Sequence, residues 1–138
     1  MPKAAVIHQK GGPEVIRNED VEVGAPGPGE VRLRHIAIGV NYADTYHRGG
    51  VSHPWPVGEP PVIVGFKATG EVTALDPGVS GFAIGDKVVY GLPPLGAYSQ
   101  ERLYPAKTLI RIPDGIDPVA LAGVFMKGLT AYYLLHRT

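Results

Sequence analysis

From Asn41 to Arg48 the chain reads Asn-Tyr-Ala-Asp-Thr-Tyr-His-Arg, which sets amide, carboxyl, hydroxyl, phenol, imidazole and guanidinium groups side by side. Such a set suits a planar, partly anionic ligand. Tyr42 and Tyr46 can stack or donate a hydroxyl, Asn41 both donates and accepts, and Arg48 can grip a phosphate or carboxylate as a fork. The apolar run from Ile36 to Val40 leads directly into these residues, so the polar wall stands at the exit of a strand. The same residues admit a plainer role, in which Asn41 and Asp44 cap a short helical turn and the tyrosines pack on the fold.

Other chemistries find little support. There is no cysteine, which removes disulfides, thiolate nucleophiles, iron–sulfur clusters and thiolate-ligated zinc together. His8, His35, His47, His53 and His136 show neither H-x-x-x-H nor H-E-x-x-H spacing, and His47 reads as a turn or pocket residue. Gly24, Gly27 and Gly29 are interrupted by Pro26 and Pro28, so they do not form a phosphate-binding G-x-G-x-x-G turn. Ser52, Ser80 and Ser99 lack a G-x-S-x-G setting. Asp86, after Gly85, is expected to hydrogen-bond its own turn.

The 138 residues fit one domain, and 13 basic against 13 acidic side chains leave no charge footprint for a nucleic acid. The amino terminus lacks the apolar core of a signal peptide, and no run is expected to reach the ~20 apolar residues that span a bilayer. A cytoplasmic protein without a membrane partner is the resulting expectation.

The elements that must position the polar wall are short. Nineteen glycines and 14 prolines interrupt the chain too often for long helices over most of it. Strand character recurs at Ala4 to Ile7, Val15-Ile16, Val21 to Val23, Val31 to Arg34, Val62 to Val64, Gly70 to Leu75 and Lys87 to Tyr90. Val31 and Leu33 alternate with Arg32 and Arg34, the mark of a strand with one buried and one wet face. Gly11-Gly-Pro-Glu14 suits a hairpin turn, and Pro54 to Pro61 must be an exposed loop whose Trp55 either roofs a ligand or covers a barrel end. Asp117-Pro118 marks a helix start, and a second helix with a broad apolar face is expected from Met126 to His136. That face requires either a partner or further chain. The fold class is mainly β with a helical tail.

Five motifs in register carry a family resemblance: Gly11-Gly-Pro-Glu14, Gly39-Val-Asn-Tyr-Ala-Asp-Thr-Tyr46 with Arg48-Gly49, Gly81 to Tyr90, Leu95-Gly-Ala-Tyr-Ser99, and Met126-Lys-Gly-Leu-Thr130. The chain resembles the amino-terminal, GroES-like catalytic domain of the zinc-free NADPH:quinone oxidoreductases of the medium-chain dehydrogenase/reductase superfamily, from about Lys3 to Arg137. The resemblance implies a GroES-like β-barrel over residues 1–138, with its carboxy-terminal helix leading to a Rossmann domain that this chain does not include. It implies NADPH as cofactor, no zinc, and hydride transfer to a quinone. Asn41, Tyr42, Ala43, Asp44, Thr45 and Tyr46 would line the nicotinamide and substrate side of the cleft, with Asn41, Asp44 and Tyr46 at the reaction centre. Lys127, Thr130 and Tyr133 would contact the cofactor.

Three departures qualify the match. Family members continue into the dinucleotide-binding half, without which tight NADPH binding is not expected. Gly65-Phe-Lys67-Ala-Thr-Gly70 carries lysine where relatives usually have glutamate, and Val51-Ser52-His53 replaces a stretch where they often place a tyrosine over the substrate. Two rival readings stand beside the quinone reductase. One is a non-catalytic GroES-like module that pairs with a second copy or another chain through the Met126 to His136 face. The other is a reductase of an alkenal or enone.

Overall fold

The computed structural model describes residues 1–52 and 55–137. Among these, eight strands pair antiparallel in two sheets. β1 (Lys3–Ile7) is the middle of a three-stranded sheet ordered β2-β1-β4, flanked by β2 (Ile16–Asp20) and β4 (Val62–Ile63). β3 (Glu30–Ile38) and β5 (Ala68–Leu75) lie within a five-stranded sheet ordered β7-β3-β5-β6-β8, which β6 (Lys87–Tyr90), β7 (Glu101–Pro105) and β8 (Ile110–Arg111) complete. A single bridge, Ala4 to Ser99, links the sheets. The mainly β class read from the sequence is the class adopted.

Alternation along β3 explains its place. Val31 and Leu33 are fully buried with Val72, Val88, Tyr90 and Tyr104 in the larger core. Burying each such side chain contributes roughly 1.5–3 kcal/mol. On the other face Arg32 pairs with Glu101 at 2.6 Å and Arg34 with Glu71 at 3.3 Å, tying β3 to both neighbours. A smaller core of Ile7, Val15 and Val64 lies under the other sheet, beneath Val62 and Tyr98.

Several elements differ from the sequence reading. The hairpin at Gly11 to Glu14 forms, through a 3-10 turn at Pro13–Val15, but of the expected Val15-Ile16 run only Ile16 enters the returning strand, the polar Ile16–Asp20, and Val21 to Val23 forms no strand. An edge strand held by backbone bonds to one neighbour needs no apolar alternation, and so it left none to read. β7 and β8 were likewise not anticipated. His53 and Pro54, at the end of the Val51-Ser52-His53 departure and the start of the proline-rich loop, lie outside the described residues, as does Thr138.

The carboxy-terminal helix is one element, α2 (Pro118–His136), not two. Asp117 caps it as expected, its carboxylate accepting from the Val119 and Ala120 amides at 3.3 and 3.0 Å. Gly123 and Gly128 lower helix propensity but keep their N–H groups, so the ladder runs through them. Ala122 is buried, whereas Leu129, Tyr132, Tyr133 and Leu135 are exposed. By length and composition α2 is apolar enough to cross a membrane, contrary to the expectation that no segment would be. Helices of soluble proteins share that property.

Candidate functional site

β3 ends at Ile38, and the Gly39 amide bonds the Lys67 carbonyl at 3.0 Å before the chain turns into α1 (Ala43–Gly49). The corner is fixed by Asp44. Only 4% exposed, its Oδ2 accepts from the Asn41 amide at 2.9 Å and from the Tyr98 hydroxyl at 2.7 Å. Burial, and then the hydrogen bond to this carboxylate, push the Tyr98 phenol well above its ordinary range. The buried Oδ1 of Asp44 has no hydrogen-bond partner among the described residues.

Around that pivot the other polar residues take distinct directions. The Asn41 Nδ2 donates to the Gly39 carbonyl at 3.1 Å, and the Thr45 hydroxyl to the Tyr42 carbonyl at 2.6 Å. Tyr42 and Tyr46, both exposed, meet edge to face with centroids 5.4 Å apart. Arg48, expected to grip an anion, instead donates Nε to the Gly11 carbonyl at 3.2 Å and braces α1 against the hairpin. His47 is fully buried against Phe66, with centroids 6.1 Å apart, and Trp55 packs edgewise on Phe66 at 4.6 Å.

Facing this corner is α2. Between them lies a cavity of about 470 Å³ lined by Asn41, Ala43, Phe66, Met126, Lys127, Thr130, Ala131 and Leu134. The fold thus brings together Asn41, Ala43, Lys127 and Thr130 from distant parts of the chain. Asp44 sits below the surface at the corner, Thr45 is bonded to its own helix turn, and Tyr42, Tyr46 and Tyr133 are exposed residues that do not line the cavity. The Thr130 hydroxyl is turned back to the Met126 carbonyl at 2.9 Å.

Sequence reasoning passed over Lys67 as a site residue. Its side chain is 0% exposed, and its Nζ donates to the Gly123 carbonyl of α2 at 3.2 Å. The stem fills the space where a Cβ on Gly39 would otherwise stand, against the Ala122 carbonyl. No carboxylate lies within ion-pair distance of it among the described residues. Desolvation first, and Lys127 second, hold its pKa below the usual lysine range, and the Asp44 charge opposes both. The only sequence signal was the lysine in place of the usual glutamate.

A second buried cation lies in the larger core. Arg102 donates to the Pro94 and Leu95 carbonyls at 3.0 Å, to the Leu103 carbonyl at 3.2 Å and to the Tyr90 hydroxyl at 3.4 Å. Its guanidinium carbon also lies 5.5 and 5.0 Å from the ring centroids of Tyr90 and Tyr104. His35 joins the same network, with Nδ1 2.6 Å from the Ser99 carbonyl and Nε2 2.8 Å from the Tyr90 hydroxyl. Burial lowers its pKa to about 4, so the neutral ring donates from Nδ1 and accepts at Nε2. Asp86 holds its own turn, accepting from Ala83 at 2.8 Å, and pairs with Arg111 at 2.7 Å. No three His, Cys, Asp or Glu side chains converge as metal ligands among the described residues.

Residues 27–114 match the alcohol dehydrogenase GroES-like domain. A 2-haloacrylate reductase from a Burkholderia species is 59% identical over the whole of this chain, which covers 42% of that protein. A quinone oxidoreductase of Pseudomonas aeruginosa is 44% identical, again over the whole chain and 42% of the relative. The crystal structure of Escherichia coli quinone oxidoreductase complexed with NADPH superposes with a TM-score of 0.90 at 36% identity, over 98% of this chain and 40% of that one. The chain therefore spans about two-fifths of the length of these relatives.

Proposed function

The chain belongs to the alcohol dehydrogenase GroES-like domain family, within the medium-chain dehydrogenase/reductase superfamily, and from that membership we propose that it forms the acceptor side of an NADPH-dependent reductase. The acceptor is a conjugated carbonyl compound, with a quinone as the principal reading. A second reading, a halogenated acrylate, is favoured by the 59% identity to a relative of that name. The observation that carries the proposal is the cavity, in which Asn41 and Ala43 of one corner face Lys127 and Thr130 of α2.

The residues present fit the nicotinamide end of the cofactor. Phe66, Met126, Ala131 and Leu134 offer apolar wall for a flat ring, and Asn41 offers an amide to pair with a carboxamide. When bound, NADPH supplies a hydride. The chain supplies position, which hydride transfer needs more than it needs a covalent group. Tyr46, exposed on α1, is assigned as hydrogen-bond donor to the acceptor oxygen as negative charge develops there, and Tyr133, exposed on α2, as a further cofactor contact. Asp44 acts from beneath by holding the Asn41 backbone. We read the reaction as metal-free.

Amide NMR with added NADPH tests this. Saturable shifts at Asn41, Ala43, Lys127 and Thr130, with Asp86 and Arg111 unmoved, support the reading. Shifts at saturating nucleotide that are confined to other surfaces refute it.

A further inference from the structure

A smaller pocket, of about 160 Å³, opens between α2 and the β6–β8 end of the larger sheet. Tyr90 of β6, Ile110 of β8 and Phe125, Met126 and Leu129 of α2 wall it, and none of its lining residues carries a charge. Its two hydroxyls are engaged elsewhere. The Tyr90 hydroxyl lies 2.8 Å from His35 Nε2 and accepts from Arg102 at 3.4 Å, while the Thr108 hydroxyl donates to the Pro105 carbonyl at 3.4 Å. Water needs several polar partners to stay in such a space, and these side chains offer it none.

A glycine shapes the pocket. A Cβ built on Gly91 would collide with Met126 Sδ and stand 3.2 Å from Phe125 Cε1, so the bare backbone is what lets α2 close in from one side. The Tyr90 ring, with its centroid 4.1 Å from that of Tyr104, is held fast on another. Leu92, Ile110 and Leu129 are about half exposed and leave the space open to solvent. Its volume is close to the ~150 Å³ at which a dry, apolar protein cavity takes up benzene.

We propose that this pocket is a binding site for a neutral hydrocarbon group the size of a single six-membered ring, distinct from the acceptor cavity but sharing Met126 with it. Met126 is unbranched and turns about several bonds, which makes it the movable part of the shared wall. The group is thus either a free hydrocarbon or a branch of an acceptor held on the other side of Met126. The site itself does not depend on the reductase reading; only the second source does.

The test titrates benzene and its polar isostere pyridine into the full chain, at a pH where pyridine is neutral, and follows side-chain methyl signals by NMR. Benzene shifts the methyls of Leu92, Ile110, Met126 and Leu129 saturably and binds about tenfold more tightly than pyridine, whose ring nitrogen would be buried without a donor. Leu129→Trp, at a half-exposed position, fills the pocket and abolishes saturable binding; should it fail to fold, Ile110→Trp on the β8 wall decides in its place. Shifts that do not saturate, equal affinity for pyridine, or benzene binding that survives both substitutions overturns the proposal. Titration of 1,4-benzoquinone and 2-phenyl-1,4-benzoquinone separates the sources. If the phenyl compound alone displaces benzene, shifting Ile110 and Leu129 together with Asn41 and Thr130, the group is a branch of the acceptor. If benzene binds with unchanged affinity beside either quinone, it is a free hydrocarbon. NADPH shifts at Asn41 and Lys127 with no benzene site sink this inference and leave the reductase reading standing, whereas benzene at Leu129 with NADPH seated on another surface does the reverse.

Discussion

Lys67 and Arg102 are both buried cations with no carboxylate within ion-pair distance among the described residues, at 0% and 8% exposure, yet their surroundings differ. Arg102 donates to three carbonyls and a phenol and lies over two aromatic rings. Lys67 has one carbonyl at 3.2 Å. A guanidinium presents five donors in a rigid fork, which can satisfy a bundle of backbone oxygens, whereas an ammonium is a compact point charge that loses more on leaving water. Arg102 is therefore a brace whose charge is answered within the scaffold. Lys67 holds a charge the scaffold leaves largely unanswered, and it does so beside the cavity.

The largest effect should come from dismantling the brace. Arg102→Met strands the Pro94, Leu95 and Leu103 carbonyls and is expected to cost about 3 kcal/mol, read from the urea midpoint. Acidification attacks the same network through His35. Its folded pKa of about 4 lies below the ordinary histidine value of 6.5, so as pH falls the unfolded chain takes up the proton first. Its share of stability, at most roughly 3 kcal/mol, is present above pH 6.5, declines toward pH 4 and flattens below it. A His35→Gln variant should lose this slope, and a slope that persists would mean another group carries it.

On the other side of the comparison, Gly39→Ala forces a Cβ into the Lys67 stem and the Ala122 carbonyl, at about 2 kcal/mol. Thermal unfolding of Gly39→Ala alone and with Lys67→Ala should show partial rescue in the double variant. The smallest change is expected for Lys67→Met, within about 1 kcal/mol of wild type or more stable, because an unpaired buried charge is exchanged for an apolar chain of similar length. If Lys67→Met proves as damaging as Arg102→Met, the contrast between the two cations collapses.

β3 was legible in sequence because its inward side chains Val31 and Leu33 repeat every second residue, and β6 because Val88, Val89 and Tyr90 form an unbroken buried run. β2 was not, since Ile16–Asp20 is held by register with β1 rather than by side-chain burial. The helix start at Asp117-Pro118 and the apolar face from Met126 to His136 read as two helices, whereas one hydrogen-bond ladder runs from Pro118 to His136. At the site, the run from Asn41 to Tyr46 marked the right corner, but spacing alone could not tell which side chains face inward. Asp44 turned under it and Tyr42 outward. Lys67 was visible as an odd residue in a glycine-bounded segment, and nothing in the linear order shows that its stem would end beneath α2.

That stem has a mechanical consequence as well as an electrical one. It lies between the backbone at Gly39 and the backbone at Ala122 and Gly123, so it works as a shim that sets how far apart the strand exit and the helix stand. The thickness of any guest slipped between them is then gauged by a side chain the guest never touches. A shorter residue at position 67 would let the helix settle and narrow the slot, which makes this hidden position a dial for guest size, adjustable without altering a single wall residue.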